Sequence, residues 1–347
     1  MIRSLLAAAL CLLLAACNKA DAAVPGAEWP QLAPAQSGWS ESKLAAAKAR
    51  AEEIGSSAFL VVQHDAIVAA WGDTGTDLLL NSMRKSLLSA LIGMAVAEGR
   101  IDLDTTLAQL GIDDTEPALT PEEKQATIHD LIEARSGIYH GANYETPEMA
   151  ANRPARGSHP PGSFWYYNNW DFNALGAIYE QAEGAPVFDA FDRRIARPIG
   201  MQDFDPAHCR YAGGRDSKYP AYLFHASARD LARFGLLYLH HGRWGDRQLI
   251  PESWIAESTK PYSTTNAGLG YGYLWWRPQN NSALPPDSYF AWGHGGQFLF
   301  VIPSRDMVVV HLARERTGQD ELGYRRVSGL LGLILAAAPE EPAVTPR

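Results

Sequence analysis

Ser82 and Lys85 stand three apart in the run Asn81-Ser82-Met83-Arg84-Lys85-Ser86. On a helix that spacing puts both side chains on one side of a turn, where an amine can reach a hydroxyl. A serine is a weak nucleophile unless a base takes its proton, so the pair has the composition of an acyl-transfer site. The helix start adds unpaired N–H groups and a partial positive charge, which favour an oxyanion beside Ser82. The motif alone is weak, since this composition gives roughly 0.4 Ser-x-x-Lys by chance. A second copy, Ser40-Glu41-Ser42-Lys43, precedes the helical pattern Leu44, Ala47, Ala51, Ile54, and there Ser40 reads as an N-cap.

The element that carries Ser82 is a helix over residues 81–98. Leu87, Leu88, Leu91, Met94 and Ala95 recur at three- and four-residue intervals, and Gly99 is a C-terminal stop. Upstream, Ala58–Gln63 and Ile67–Trp71 flank His64-Asp65-Ala66 as a β-hairpin. Strand patterns return at Tyr271–Trp276, Tyr289–Trp292, Phe298–Ile302 and Met307–Leu312, with a turn at Pro303–Asp306. An exposed hairpin edge needs partners, so the two chain ends are predicted to share one antiparallel sheet. Residues 101–211 show helical periods broken by Pro and Gly. Val327–Ala338 reads as an apolar helix covering the sheet, too short to span a membrane. The fold class is therefore α+β: a sheet built from both ends and flanked by helices, plus a mostly helical subdomain at about 80–215.

Residues 1–16 have one basic residue, an apolar run and a small-residue end, the form of an export signal. Residues 17–38, rich in Ala, Pro and Gly, read as a flexible tether that holds a domain at 39–338 roughly 25 Å from an anchor. Residues 339–347 read as a disordered tail. The net charge is −9 with no basic run, which disfavours a nucleic-acid partner. The adjacent pair His240 and His241 has no carboxylate or cysteine at ligand spacing and reads as a solvated helix end, so no metal and no cofactor are expected.

Two further motifs follow Ser82. Pro161-Gly162 leads into Tyr166-Tyr167-Asn168-Asn169, which contains two overlapping Tyr-x-Asn readings, and Gly293-His294-Gly295-Gly296 forms a glycine-rich turn. In this order, with phrases such as Arg135-Ser136-Gly137-Ile138 and Tyr271–Trp276, the chain resembles the serine β-lactamase and penicillin-binding-protein superfamily. It is most similar to the class C-related branch that includes esterases and 6-aminohexanoate-dimer hydrolases. Likewise Leu14-Ala15-Ala16-Cys17 resembles a bacterial lipobox.

The superfamily resemblance implies the fold already given and selects Tyr167 and Asn169, with Ser82 as nucleophile and Lys85 or Tyr167 as base. Asn169 is then suited to the substrate carbonyl or to Lys85. His294 stands where many relatives carry a lysine. Gly295 and Gly296 let the strand edge approach the substrate, and Gln297 supplies, with Ser82, a backbone oxyanion donor. The expected activity is hydrolysis of small esters or amides through an acyl-enzyme. β-Lactamase or D-alanyl-D-alanine carboxypeptidase-like activity, or a non-catalytic penicillin-binding sensor, are the alternatives. The lipobox implies an exported, periplasmic protein that meets the membrane only through a lipid on Cys17. Cys11 leaves with the signal, so Cys209 is left without a disulfide partner.

Overall fold

A computed structural model describes residues 24–115, 117–265, 267–278, 282–314 and 322–340. The signal segment, Cys17 and residues 341–347 lie outside the described residues.

Helix α1 (Glu41–Ile54) opens the domain. Ser40 caps it by accepting from the Lys43 N–H, while the Lys43 amine donates to the Ala336 carbonyl at 2.9 Å. Ser40-x-x-Lys43 is thus a cap and a helix tie, as its pattern indicated. The hairpin β1 (Ala58–Gln63) and β2 (Ala66–Gly72) turns through His64 and Asp65, both in the left-handed region. Helix α2 (Arg84–Ala97) follows a single 3₁₀ turn, Asn81–Met83, and is buried from Arg84 to Ala95. A helix buried on every side belongs to the centre of a domain.

The remaining major elements are α3 (Asn169–Glu183), α4 (Ala228–Leu239), β3 (Ser263–Thr264), β4 (Gly270–Tyr271), β5 (Trp276–Arg277), β6 (Tyr289–Gly293), β7 (Gln297–Ile302), β8 (Met307–Leu312) and α5 (Tyr324–Ala337). An antiparallel sheet of eight strands runs in the order β2-β1-β8-β7-β6-β5-β4-β3. β1 pairs with β8, Phe59 opposite His311, so the two ends of the chain meet in the sheet as the hairpin required.

Alternation along β7 and β8 decides what covers each face. Gly235 of α4 lies so close to Leu299 and Val308 that a Cβ there would stand 2.9 and 2.5 Å from their methyl groups. Phe298 points the other way, toward Tyr324 of α5, with ring centroids 6.2 Å apart. The end of α5 is tied to the start of α1 through Ser40 N–H and Ala337 O, 2.9 Å apart.

Three expectations are corrected. Residues 24–38 are not a free tether. Leu32 N–H donates to Ile67 O and Ile67 N–H to Pro30 O, both at 2.8 Å, and Arg233 of α4 donates to the carbonyls of Pro25 and Gly26. The outer edge of β2 leaves backbone groups unpaired, and this segment satisfies them. The run Tyr271–Trp276 is not one strand: Leu274 has φ +65° and the chain doubles back from β4 to β5. At Gly272 a Cβ would meet Ser258 O at 2.4 Å, so backbone crowding overrides the aromatic alternation. Finally, His240 is not simply solvated: its Nε2 stands 2.9 Å from Asp65 Oδ1 at the hairpin turn. Between residues 101 and 168 the α-helices, Leu107–Leu110, Ile128–Ile132 and Pro147–Asn152, are short, because Pro and Gly interrupt the helical periods.

Candidate active site

Three elements converge on Lys85. Its amine lies 2.8 Å from Ser82 Oγ, 2.6 Å from Tyr167 Oη and 2.8 Å from Asn169 Oδ1. Lys85 is buried at 1% exposure, because α2 is covered by α3 and by the strands. Burial, together with the neighbouring Arg84 cation, holds the amine well below the usual lysine range. Burial also pushes the Tyr167 phenol up to about 12. Both shifts favour the neutral forms, an amine and a phenol on either side of a serine hydroxyl. An amine so placed can take a proton and a phenol can give one.

The choice between overlapping tyrosines follows from the start of α3. Asn168 caps that helix by accepting from Trp170 N–H, and its amide also donates to Ile138 O and to Asp171 Oδ1. Ser136 donates to the same Asp171 oxygen at 2.6 Å, and burial raises the Asp171 carboxyl well above its ordinary range. This buried network fixes the chain so that Tyr167 reaches Lys85, whereas the Tyr166 hydroxyl donates to Met149 O at 2.7 Å.

Of the two partners open to Asn169, the structure shows Lys85: the Asn169 Oδ1 accepts from the Lys85 amine, and its Nδ2 donates to Tyr144 O at 2.6 Å. It positions Lys85, and one N–H of its amide is left beyond the bond to Tyr144 O.

The turn between β6 and β7 brings His294 and Gly295 to the serine. Together with Ser82, Thr146, Met149, Tyr167, Trp276, Trp292, Leu322 and Gly323 they line a cavity of about 280 Å³. His294 is exposed at its rim. Gly293 permits the close approach, since a Cβ there would stand 2.1 Å from Leu80 O, and Gly296 has φ +95° with Leu322 against it. The Gln297 side chain is committed within the protein: it donates to Ala313 O at 2.7 Å and accepts from Ala313 N–H at 3.2 Å. Of the site's tryptophans, Trp276 and Trp292 line the cavity, while Trp170 and Trp275 are fully buried core.

Three supporting residues escape the sequence reading. Asn81 adopts φ +49° immediately before Ser82; its Nδ2 donates to His294 O at 2.9 Å and its Oδ1 accepts from Tyr144 Oη at 2.7 Å. It clamps the serine turn to the glycine turn. His311 on β8 contacts Gly296 O through Nδ1 at 2.5 Å and Ser56 Oγ through Nε2 at 2.8 Å, with its pKa lowered by burial to about 4. Arg84 is buried at 1% exposure, donates to Asn173 Oδ1 at 3.1 Å and lies 4.2 Å above the Tyr222 ring. An asparagine before the motif serine was the one visible signal, since Asn tolerates the left-handed region.

The Beta-lactamase family model matches residues 42–332. Esterase EstB of Burkholderia gladioli is 27% identical over 146 residues, 36% of this chain; the match spans 37% of that protein's length. A solved 6-aminohexanoate-dimer hydrolase from Bacillus anthracis, whose assignment is marked putative, superposes with TM-score 0.68 at 22% identity, over 92% of both chains. A penicillin-binding protein homologue from Caulobacter crescentus gives TM-score 0.65 at 18% identity, over 86% of this chain and 99% of that one.

Proposed function

From the premise that this chain belongs to the Beta-lactamase family of serine hydrolases, we propose that it cleaves small neutral esters, and small linear amides, through an acyl-enzyme on Ser82. The observation that carries this reading is the contact of one buried amine, held well below the usual lysine range, with both a serine hydroxyl and a phenol pushed up to about 12.

In the proposed sequence Ser82 Oγ attacks the substrate carbonyl and its proton passes to Lys85, so the base is the amine. The phenol, raised to about 12, is too weak an acid to serve as an ionised base at neutral pH. The oxyanion meets the backbone N–H groups of Ser82 and Gln297. As the bond to the leaving oxygen or nitrogen breaks, the proton moves from Lys85 through Tyr167 to the leaving group. Water then attacks the Ser82 ester, gives up a proton by the same route, and the acid departs as Ser82 regains its hydroxyl.

Substrate class follows from the cavity. Among its described lining residues His294 is the one titratable imidazole, and no lysine, arginine or carboxylate lines it. Among these described residues an anionic substrate such as a β-lactam finds no fixed cationic anchor, whereas Trp276, Trp292, Met149 and Leu322 suit an uncharged acyl group. We also propose export to the periplasmic side and anchoring by a lipid on Cys17, supported by the pattern of residues 1–17. The test of substrate class compares kcat/KM for p-nitrophenyl butyrate, a linear aminohexanoate-type amide and a chromogenic cephalosporin on one preparation. The ester is expected to lead, and a clear preference for the cephalosporin would contradict the reading.

A further inference from the structure

A second cavity, of about 430 Å³, adjoins the catalytic one and shares Tyr167 and Met149 with it. Its walls include Phe164, Trp165 and Tyr166, the three residues that precede the catalytic-site tyrosine, with Glu148 at the lining. The aromatic surface is continuous between the two. The Trp292 and Trp276 rings are 5.3 Å apart, Trp276 is 5.4 Å from Tyr167, and Trp165 packs edge-on to Trp276 at 6.4 Å.

The built character of this wall is specific. Phe164 is 41% exposed, an uncommon position for a phenylalanine, yet it is held by stacking on His159 with centroids 4.0 Å apart. Tyr166 spends its hydroxyl on Met149 O, which ties the loop carrying Met149 to the aromatic wall. Its phenol therefore adds ring surface to the cavity rather than a free hydroxyl.

Tyr167 stands between the two spaces, and this decides which part of a substrate enters the second. In the proposed hydrolysis the Tyr167 phenol hands its proton to the departing atom, so the leaving group must lie against Tyr167. The acyl group remains beside Ser82 in the 280 Å³ cavity. We propose that the second cavity is a leaving-group subsite that takes an uncharged aryl or arylalkyl alcohol or amine. Flat rings can stack on Phe164 and Trp165, and the Glu148 carboxylate disfavours an anionic leaving group. The proposal rests on the hydrolase reading above and adds the side of the substrate on which selectivity is exerted.

The experiment holds the acyl group fixed and varies the alcohol, comparing methyl, benzyl and 4-carboxybenzyl butyrate. Benzyl alcohol and methanol are of similar acidity, so their difference reports contacts rather than leaving-group chemistry. The expected order of kcat/KM is benzyl first, by about tenfold over methyl, with the carboxybenzyl ester below benzyl. In F164A the benzyl-to-methyl ratio is expected to fall by about 5- to 20-fold. The hexanoyl-to-acetyl ratio of the methyl esters should stay within about twofold, since the acyl group does not enter the subsite. Phe164 is exposed, so its truncation leaves the core filled. Turnover of all esters with no benzyl preference, or an F164A effect that follows the acyl chain, would overturn the subsite while leaving the hydrolase intact. No turnover of any ester would instead count against the hydrolase reading.

Discussion

Lys85 Nζ and Tyr167 Oη lie 2.6 Å apart, and burial moves their acidities in opposite directions, the amine down and the phenol up to about 12. Each shift favours the neutral form, an amine that can accept a proton and a phenol that can donate one.

Removing either partner is expected to be severe. Lys85→Met should lower kcat/KM by about 1,000-fold or more, and Tyr167→Phe by about 100-fold or more, whereas Ser40→Ala should stay near wild type. For the wild type, kcat/KM should fall on the acid side as Lys85 takes up its proton. No alkaline fall from Tyr167 is expected until the pH nears about 12. A steady-state pH profile checks this; an acid limb that disappears from the residual activity of Tyr167→Phe would assign the base to the phenol.

Asn81 holds the serine turn in a left-handed conformation and contacts both His294 and Tyr144. Asn81→Ala should cost about 1–3 kcal/mol from backbone strain and lost hydrogen bonds. Asn81→Gly relieves the strain and should cost less, yet it should lose activity comparably because the clamp between the two turns is gone. Urea unfolding beside kcat/KM separates the two effects, and equal stability losses would remove the strain argument.

His311 is neutral in the fold and its pKa is lowered to about 4 by burial, against about 6.5 when unfolded. The unfolded chain therefore binds more protons between those values, so stability is lost as pH falls from about 6.5 to about 4, by about 3 kcal/mol at most. Comparing acid unfolding of the wild type with His311→Gln checks the sign: the variant should lack this contribution. Equal acid sensitivity would place the cause elsewhere.

The grouping of Ser82 with Lys85 was legible in the sequence because it depends on residue types at short spacing within one turn. The superfamily resemblance selected Tyr167 over Tyr166, and the cap at Asn168 holds it in that place. The sheet was legible from the unpaired hairpin. What escaped depends on contacts between distant segments. Residues 24–38 have a linker's composition but pair with the edge of β2, and Gly272 breaks an alternating aromatic run because Ser258 crowds it. The tie from the Asn169 amide to Tyr144 O had no sequence signature, because Tyr144 lies on a distant loop.

The proposed lipid anchor has its own test. In a Gram-negative host Cys17→Ala should move the protein from the membrane fraction to the soluble periplasm with kcat/KM unchanged. A wild-type protein already found in the soluble fraction would contradict anchoring at Cys17.

The most direct test of the mechanism is intact-protein and peptide mass spectrometry after brief reaction with a p-nitrophenyl ester, followed by acid quench. The expected result is a single acyl adduct on the peptide containing Ser82, decaying as product forms and absent in Ser82→Ala. An adduct on another residue, or full turnover by Ser82→Ala, would contradict Ser82 as the nucleophile.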